Sequence, residues 1–368
     1  MFNLSALRLL TSWGSVLLYF LVLSSWMDTV TSPAMLMVLF TLFFAVIMWS
    51  AFGVVHEAEE LAEIMGEPYG TLILTLSIVV IEVALVAAVM LGSNAAPTMG
   101  RDTMFSVLMI VMNGVVGLGL FIGGLKHREQ SYNLQGAASY LSVLIPLTCI
   151  ALILPNFTTS TESGTLSFWQ STYFSIFSIA LYGVFLITQT GRHRAFYVHQ
   201  IEGKVDEDVD APRPPIDFTK LRNHVILLLA NILPIVLLSK GLAKILDAEI
   251  KALNLPLALG GVVVAAIVFA PEGISALRAV ARNDLQRTVN LCLGAATSTV
   301  GLTVPVILAI ASFTGQKVVL GLAPREVTLL GMTLILSTLT FSNRRTTMLE
   351  GTVHLVLFFV FLVLVFNP

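Results

Sequence analysis

The chain has 368 residues, of which 56% are hydrophobic and 11% charged, with a mean hydropathy of +0.89. Soluble domains carry about 25% charged residues, so too little polar surface is present to cover a soluble body, which argues against a water-soluble enzyme or a disordered scaffold. The balance of 20 Lys+Arg against 22 Asp+Glu supplies no basic field for nucleic acid, and Cys149 and Cys292, both inside apolar runs, point to neither a disulfide framework nor a thiolate metal site. The composition is that of an all-α integral membrane protein, with the lipid bilayer as its first partner.

A bilayer core needs roughly 20 apolar residues per helix. Such runs are expected near 9–27, 34–55, 70–92, 103–125, 138–155, 168–190, 224–240, 257–277, 289–312, 326–342 and 350–366, eleven spans in all. The first is read as a retained helix. It is interrupted by Ser, Trp and Tyr, and no small-residue cleavage pattern follows it. Before the third span, HEAEELAEIMGEP holds Glu57, Glu59, Glu60, Glu63 and Glu67. This stretch either draws cations to a pathway mouth or is a solvated helical turn, with Glu60 and Glu63 on one face. The third span then carries Glu82 near its middle, where a carboxylate costs on the order of 3 kcal/mol or more and usually serves function.

Asp102 and Asp284 are expected to cap the helices that follow them, and Gly119 with Gly123 forms a GxxxG packing pair. The polar stretch 191–223 has an acidic run (Glu202, Asp206, Glu207, Asp208, Asp210) and Pro212, Pro214 and Pro215. It reads as a flexible linker. In the eighth span Pro271 removes a backbone donor beside Glu272 and Gly273 loosens the chain. A broken or kinked helix is expected there, with carbonyls freed next to the carboxylate. Fourteen Lys and Arg fall on the side of the N-terminus and six on the other, which places the N-terminus and the linker in the cytoplasm.

Gly70 precedes Glu82 by twelve residues and Gly260 precedes Glu272 by twelve; Gly119 and Gly301 each lie seventeen beyond Asp102 and Asp284. The second stretch comes five spans after the first, an odd offset, so the two cross the membrane in opposite directions. Inverted repeats are a signature of secondary transporters with ion sites near the midplane. Neither glutamate span contains a Lys or Arg to neutralise its carboxylate. In a low-dielectric site the pair can each hold a proton or share a metal cation, and the two loads exclude one another. That exclusion is the physics of proton–cation antiport. An all-oxygen ligand set suits Ca²⁺, Na⁺ or K⁺ better than zinc or copper. Thr75, Ser77, Ser275, Thr297 and Thr299 either add oxygens or pack between helices. A channel or uniporter without obligatory proton coupling is the alternative. No H-E-x-x-H or G-x-S-x-G occurs, so an enzyme is not expected, nor a cofactor. Metal cations and protons are the cargo, and assembly into a homo-oligomer is left open.

GEPYGTLILTLSIVVIEVALV and FAPEGISALRAVARNDLQRTVNLCLGAATSTVGLTVP resemble the two signature regions of the calcium/cation antiporter superfamily. More narrowly, they are similar to those of the bacterial ChaA-type calcium/proton antiporters, also associated with exchange of Na⁺ and K⁺ for protons. The resemblance implies about eleven helices in a bacterial inner membrane: a leading helix over 1–30, then inverted five-helix repeats over 31–190 and 224–368, joined by the cytoplasmic linker 191–223. It assigns cation binding to Glu82 and Glu272. Asn113 matches the family's asparagine in the first region and Ser298 the position often held by glutamine in the second, making both secondary ligands. Many calcium-selective relatives carry Gly-Asn-Ala-x-Glu; here Ile78, Val79, Val80 and Ile81 precede Glu82, and Val268, Phe269, Ala270 and Pro271 precede Glu272. A Ca²⁺ site here would therefore have fewer protein oxygens.

Overall fold

The computed structural model describes residues 4–27, 32–66, 69–90, 96–191, 193–197 and 217–367. Among them eleven helices follow in order: α1 Leu4–Trp26, α2 Pro33–Met65, α3 Tyr69–Met90, α4 Met99–His127, α5 Leu134–Phe157, α6 Phe168–Thr190, α7 Phe218–Ala252, α8 Ala258–Ala281, α9 Leu285–Thr314, α10 Pro324–Thr340 and α11 Met348–Phe366. Among the described residues nine are long and apolar enough to cross a membrane; α10 has 17 residues, and α3 carries a shorter apolar stretch, Thr75–Ala88. The acidic run and the prolines of the linker lie outside the described residues, as does Glu67.

Two helices outrun their expected spans. α2 has 33 residues and α7 has 35, so the short span at 224–240 is corrected to a helix about twice that length. Asp217 starts α7 early by accepting from Thr219 N at 2.9 Å and Lys220 N at 3.2 Å, a side-chain N-cap. From Leu228 to Ile250 the helix then buries one face. Pro234 interrupts its hydrogen-bond ladder by removing the donor that would meet the Ala230 carbonyl. Trp13 of α1 supplies the replacement, its indole N–H donating to Ala230 O at 3.1 Å. The acidic stretch from His56 onward continues α2 as helix to Met65.

The expected break at Pro271 is also corrected. α8 runs unbroken from Ala258 to Ala281 with Pro271 inside it. Ile267, Val268 and Phe269 before the proline and Ala276 after it are buried, so packing on both sides keeps the helix continuous across the lost backbone bond. Helical irregularity appears instead as π-turns, at Tyr19–Leu23 in α1, Ile110–Val115 in α4, Cys149–Ile153 in α5 and Thr299–Thr303 in α9; such turns are frequent at functional sites. Asp284 caps α9 as expected, accepting from Arg287 N at 3.0 Å. Asp102 does not cap: it sits in the first turn of α4, paired with Arg101 at 2.8 Å and accepting from Thr98 Oγ1 at 2.8 Å. The GxxxG pair packs α4 on α8, where a Cβ on Gly119 would lie 3.3 Å and one on Gly123 3.1 Å from methyls of Val280.

The buried side chains form two clusters. One joins α1, α2 and α7 to Ile81 and Leu85 of α3 and to Val264, Ile267 and Val268 of α8. The other joins α4, α5, α6, α9, α10 and α11 to Val86 and Met90 of α3 and to Ala265, Phe269, Ala276 and Val280 of α8. In lipid no hydrophobic force acts between helices, so close packing and polar contacts hold them. The two glutamate helices, α3 and α8, are thus wedged between the clusters. At one end a short antiparallel pairing of β1 (Gln130–Ser131) with β2 (Arg345–Thr346) ties two loops together. At the other end Val319 N donates to Pro97 O at 2.9 Å and Leu322 N to Leu152 O at 2.9 Å.

Candidate cation site

Glu82 on α3 and Glu272 on α8 are 2% and 4% exposed, and the two carboxylates are close enough to act on one another electrostatically. One oxygen of Glu82, Oε2, accepts from Thr299 Oγ1 at 2.9 Å. Oε1 of Glu82 and Oε2 of Glu272 are buried without a protein partner. Buried polar atoms are nearly always satisfied, and these two carboxylate oxygens on α3 and α8 have no protein partner. Thr299 reaches Glu82 because the π-turn Thr299–Thr303 begins at it. Thr303, four residues on and also buried, sets its hydroxyl beside the same carboxylate but outside hydrogen-bonding geometry.

A cavity of about 370 Å³ leads to Glu272. Its mouth is flanked by Glu59 of α2 and Arg287 of α9, and Tyr182 of α6, Ser298 and Glu272 line its depth. Thr75 and Ser275 also border it, whereas Ser77 and Thr297 spend their hydroxyls on their own helices, donating to Ile73 O and Leu293 O at 2.7 Å each. Among the described residues no three His, Cys, Asp or Glu side chains gather as a metal cluster. The donors on hand are two carboxylates and several hydroxyls, hard oxygens suited to alkali or alkaline-earth ions.

Of the four residues singled out in the sequence, three border this region. Ser298 lines the cavity, donates to Ala295 O at 3.0 Å and neighbours the Tyr182 hydroxyl. Asn113 is placed differently. Its Nδ2 donates to Thr333 Oγ1 of α10 at 2.8 Å, and its Oδ1 meets His354 Nδ1 of α11 at 3.0 Å. Because the amide nitrogen is spent on Thr333, Oδ1 accepts and His354 Nδ1 donates, leaving Nε2 to accept from Thr340 Oγ1 at 3.1 Å. Asn113 thus anchors a buried network between α4, α10 and α11, with all its polar atoms engaged there.

Two features went unread in the sequence. Thr303 had a legible signal, since Thr299 and Thr303 are four apart and share a helix face. Tyr182 had none, in the aromatic-rich run SIFSIALYGVF. Within the acidic stretch, Glu57 is buried and its Oε2 lies 2.7 Å from His224 Nδ1 of α7, while Glu59 faces the cavity mouth.

Replacement of Thr299 by valine is expected to lower the apparent cation affinity about tenfold, since a hydrogen bond to a charged group contributes ~1.5 kcal/mol or more. Serine at the same position should restore it. Concentration dependence of exchange in both variants checks this; equal losses in the two would mean that Thr299 acts through packing.

A multi-pass helical bundle with paired carboxylates between its packed clusters, one of them reached by a cavity, is the architecture of a membrane cation carrier. The chain belongs to the sodium/calcium exchanger protein family, whose family model matches residues 35–191 and 223–367. It is 39% identical over 320 residues to the sodium-potassium/proton antiporter ChaA of Escherichia coli (strain K12), covering 87% of this chain and 86% of that protein. Its fold matches the solved structure of native YfkE (TM-score 0.72, 18% identity, 98% of this chain and 100% of that one). It also matches the crystal structure of the H⁺/Ca²⁺ exchanger CAX (TM-score 0.69, 16% identity, 99% and 89%).

Proposed function

We propose that the chain is a secondary active cation/proton antiporter that moves Ca²⁺, Na⁺ or K⁺ out of the cytoplasm in exchange for protons, with Glu82 and Glu272 carrying both loads. The observation that carries this reading is the pair of orphaned, buried carboxylate oxygens on α3 and α8, with Glu272 at the depth of the cavity and Glu82 beside it. A cation entering past Glu59 loses its water to these oxygens and to the hydroxyls of Thr303 and Ser298. Two carboxylates balance one divalent ion, or one monovalent ion with a retained proton. Protons arriving from the other face neutralise the carboxylates and release the cation, because the protonated pair offers too little negative charge to hold it. The neutral pair then costs less to carry back through the low-dielectric bundle than a charged one. The position of α3 and α8 between the two packed clusters supports alternating access, with one cluster rocking against the other around the carboxylates.

The same reading takes α2–α6 and α7–α11 as inverted repeats joined by the linker 191–223, with α1 outside them and the N-terminus in the cytoplasm of a bacterium. The matched spacings around Glu82 and Glu272 support it, as do two long opening helices, α2 and α7. On this orientation the cavity opens inward.

Purified protein in liposomes with an imposed pH gradient and a fluorescent proton reporter tests the function. Collapse of the gradient on separate addition of Ca²⁺, Na⁺ or K⁺ is expected, without added ionophore. Cation flux that proceeds with no proton movement would move a uniporter or channel to the front.

A further inference from the structure

Among the described residues lining the cavity, three carry charge: Glu272 at depth, and Glu59 and Arg287 at the mouth. A guanidinium bordering a cation pathway is unexpected. Arg287 Nη2 lies 3.5 Å from Glu59 Oε1, with the side chains 58% and 47% exposed. Both are held at the mouth by their helices. Arg287 is in the first turn of α9, where its backbone N–H is fixed by the Asp284 cap at 3.0 Å. Glu59 is set by the register of α2, which buries neighbouring Glu57 against His224 at 2.7 Å. An exposed pair of this kind contributes only about 0–1 kcal/mol, so it is too weak to act as a latch. Its consequence is electrostatic: Arg287 cancels the negative potential that Glu59 alone would give the entrance.

We propose that Arg287 is a specificity-determining residue that disfavours entry of divalent relative to monovalent cations. The inference rests on the cation-carrier reading above. A potential at the mouth scales the entry rate of an ion by an exponential in its charge. Whatever factor Arg287 imposes on Na⁺ or K⁺, it therefore imposes the square of that factor on Ca²⁺. Charged, low-dielectric clefts change encounter rates by ~10-fold or more, so the squared penalty is large enough to decide which ion is carried. Arg287 is no ligand. It precedes Ser298 by eleven residues on α9, about 16 Å at 1.5 Å per residue, too far to coordinate an ion held there. Its charge acts first on an ion arriving at the cavity mouth, where it stands.

The test compares R287Q, R287K and E59Q with the parent in liposomes, using initial exchange rates at sub-saturating Ca²⁺ and sub-saturating Na⁺. R287Q is expected to raise the Na⁺ rate about threefold and the Ca²⁺ rate about ninefold at low ionic strength. R287K, which keeps the charge, should behave as the parent. E59Q, which leaves the guanidinium uncompensated, should shift both rates the opposite way with the same squared relation. Choline chloride, an inert salt here, should shrink all of these differences. The relation is also readable without transport, from association rates of radiolabelled Ca²⁺ and Na⁺ with the detergent-purified variants. An R287Q protein whose Ca²⁺ and Na⁺ rates change equally, or not at all, overturns the inference. A parent that binds both cations with the predicted charge dependence yet moves no protons overturns the antiport reading and leaves this one standing.

Discussion

Glu82→Gln is expected to reduce cation/proton exchange at least about 100-fold while leaving the protein folded. Glutamine keeps the shape of the side chain, and its amide oxygen can still accept from Thr299 Oγ1, which lies 2.9 Å from Oε2. What is lost is the charge and the proton. Removing one anionic ligand from a buried two-carboxylate site forfeits well over ~2.7 kcal/mol of cation binding, the free energy of a 100-fold change. The fold should not suffer, because an uncompensated buried carboxylate is itself a cost to the bundle; melting temperature is expected to hold or rise. Glu272→Gln should behave alike, and the double variant should be no worse than either single one, since the pair acts as a unit. The measurement is proton-reporter exchange in liposomes, run beside thermal melting in detergent. Poor folding of Glu82→Gln with normal exchange per folded molecule would instead assign the carboxylate to helix packing.

Much of this was legible because the bilayer simplifies the reading. Each apolar run falls on a helix among the described residues, nine of them long and apolar enough to cross a membrane, and the cost of a midplane carboxylate drew attention to Glu82 and Glu272 before any contact was known. Helix lengths were less legible. α2 and α7 continue past their apolar runs because their polar ends pack on one another and on α1, a tertiary effect that hydropathy does not register. The break expected at Pro271 followed from a local rule that packing overrode, with Ile267, Val268 and Phe269 buried against both clusters. The partner of Glu82 lies 217 residues away, at Thr299. Its hydroxyl could be noted as a candidate, but only the fold distinguishes it from Thr297, two residues earlier and turned to its own helix. Asn113 shows the reverse case. The resemblance makes it a secondary ligand, and the structure engages it with Thr333 and His354, residues that no spacing pattern linked to it.

The second large effect concerns how α8 holds Glu272 in place. Gly261 sits where α8 meets the start of α4, and a Cβ built there would lie 2.7 Å from the Asp102 carbonyl carbon and 2.8 Å from Thr103 N. These are backbone atoms of a neighbouring helix, which cannot swing aside as a side chain can. Gly261→Ala therefore forces the two helices apart, at a cost of roughly 3 kcal/mol. Glu272 lies eleven residues further along α8, three turns on the same face, so a tilt at Gly261 also displaces the carboxylate from Glu82. Gly331 on α10 provides the contrast: nothing lies within 4 Å of a Cβ at that position, and alanine there should be neutral or stabilising by up to ~1 kcal/mol through helix propensity. Melting of the two variants, followed by the monodisperse fraction remaining after heating, should separate them by many degrees. Exchange should fall in Gly261→Ala even among molecules that stay folded, because pushing α8 off α4 moves Glu272 relative to Glu82 on α3. If the two alanine variants melt alike, α4 and α8 are free to separate at that crossing, and the carboxylates must be aligned by contacts nearer the midplane.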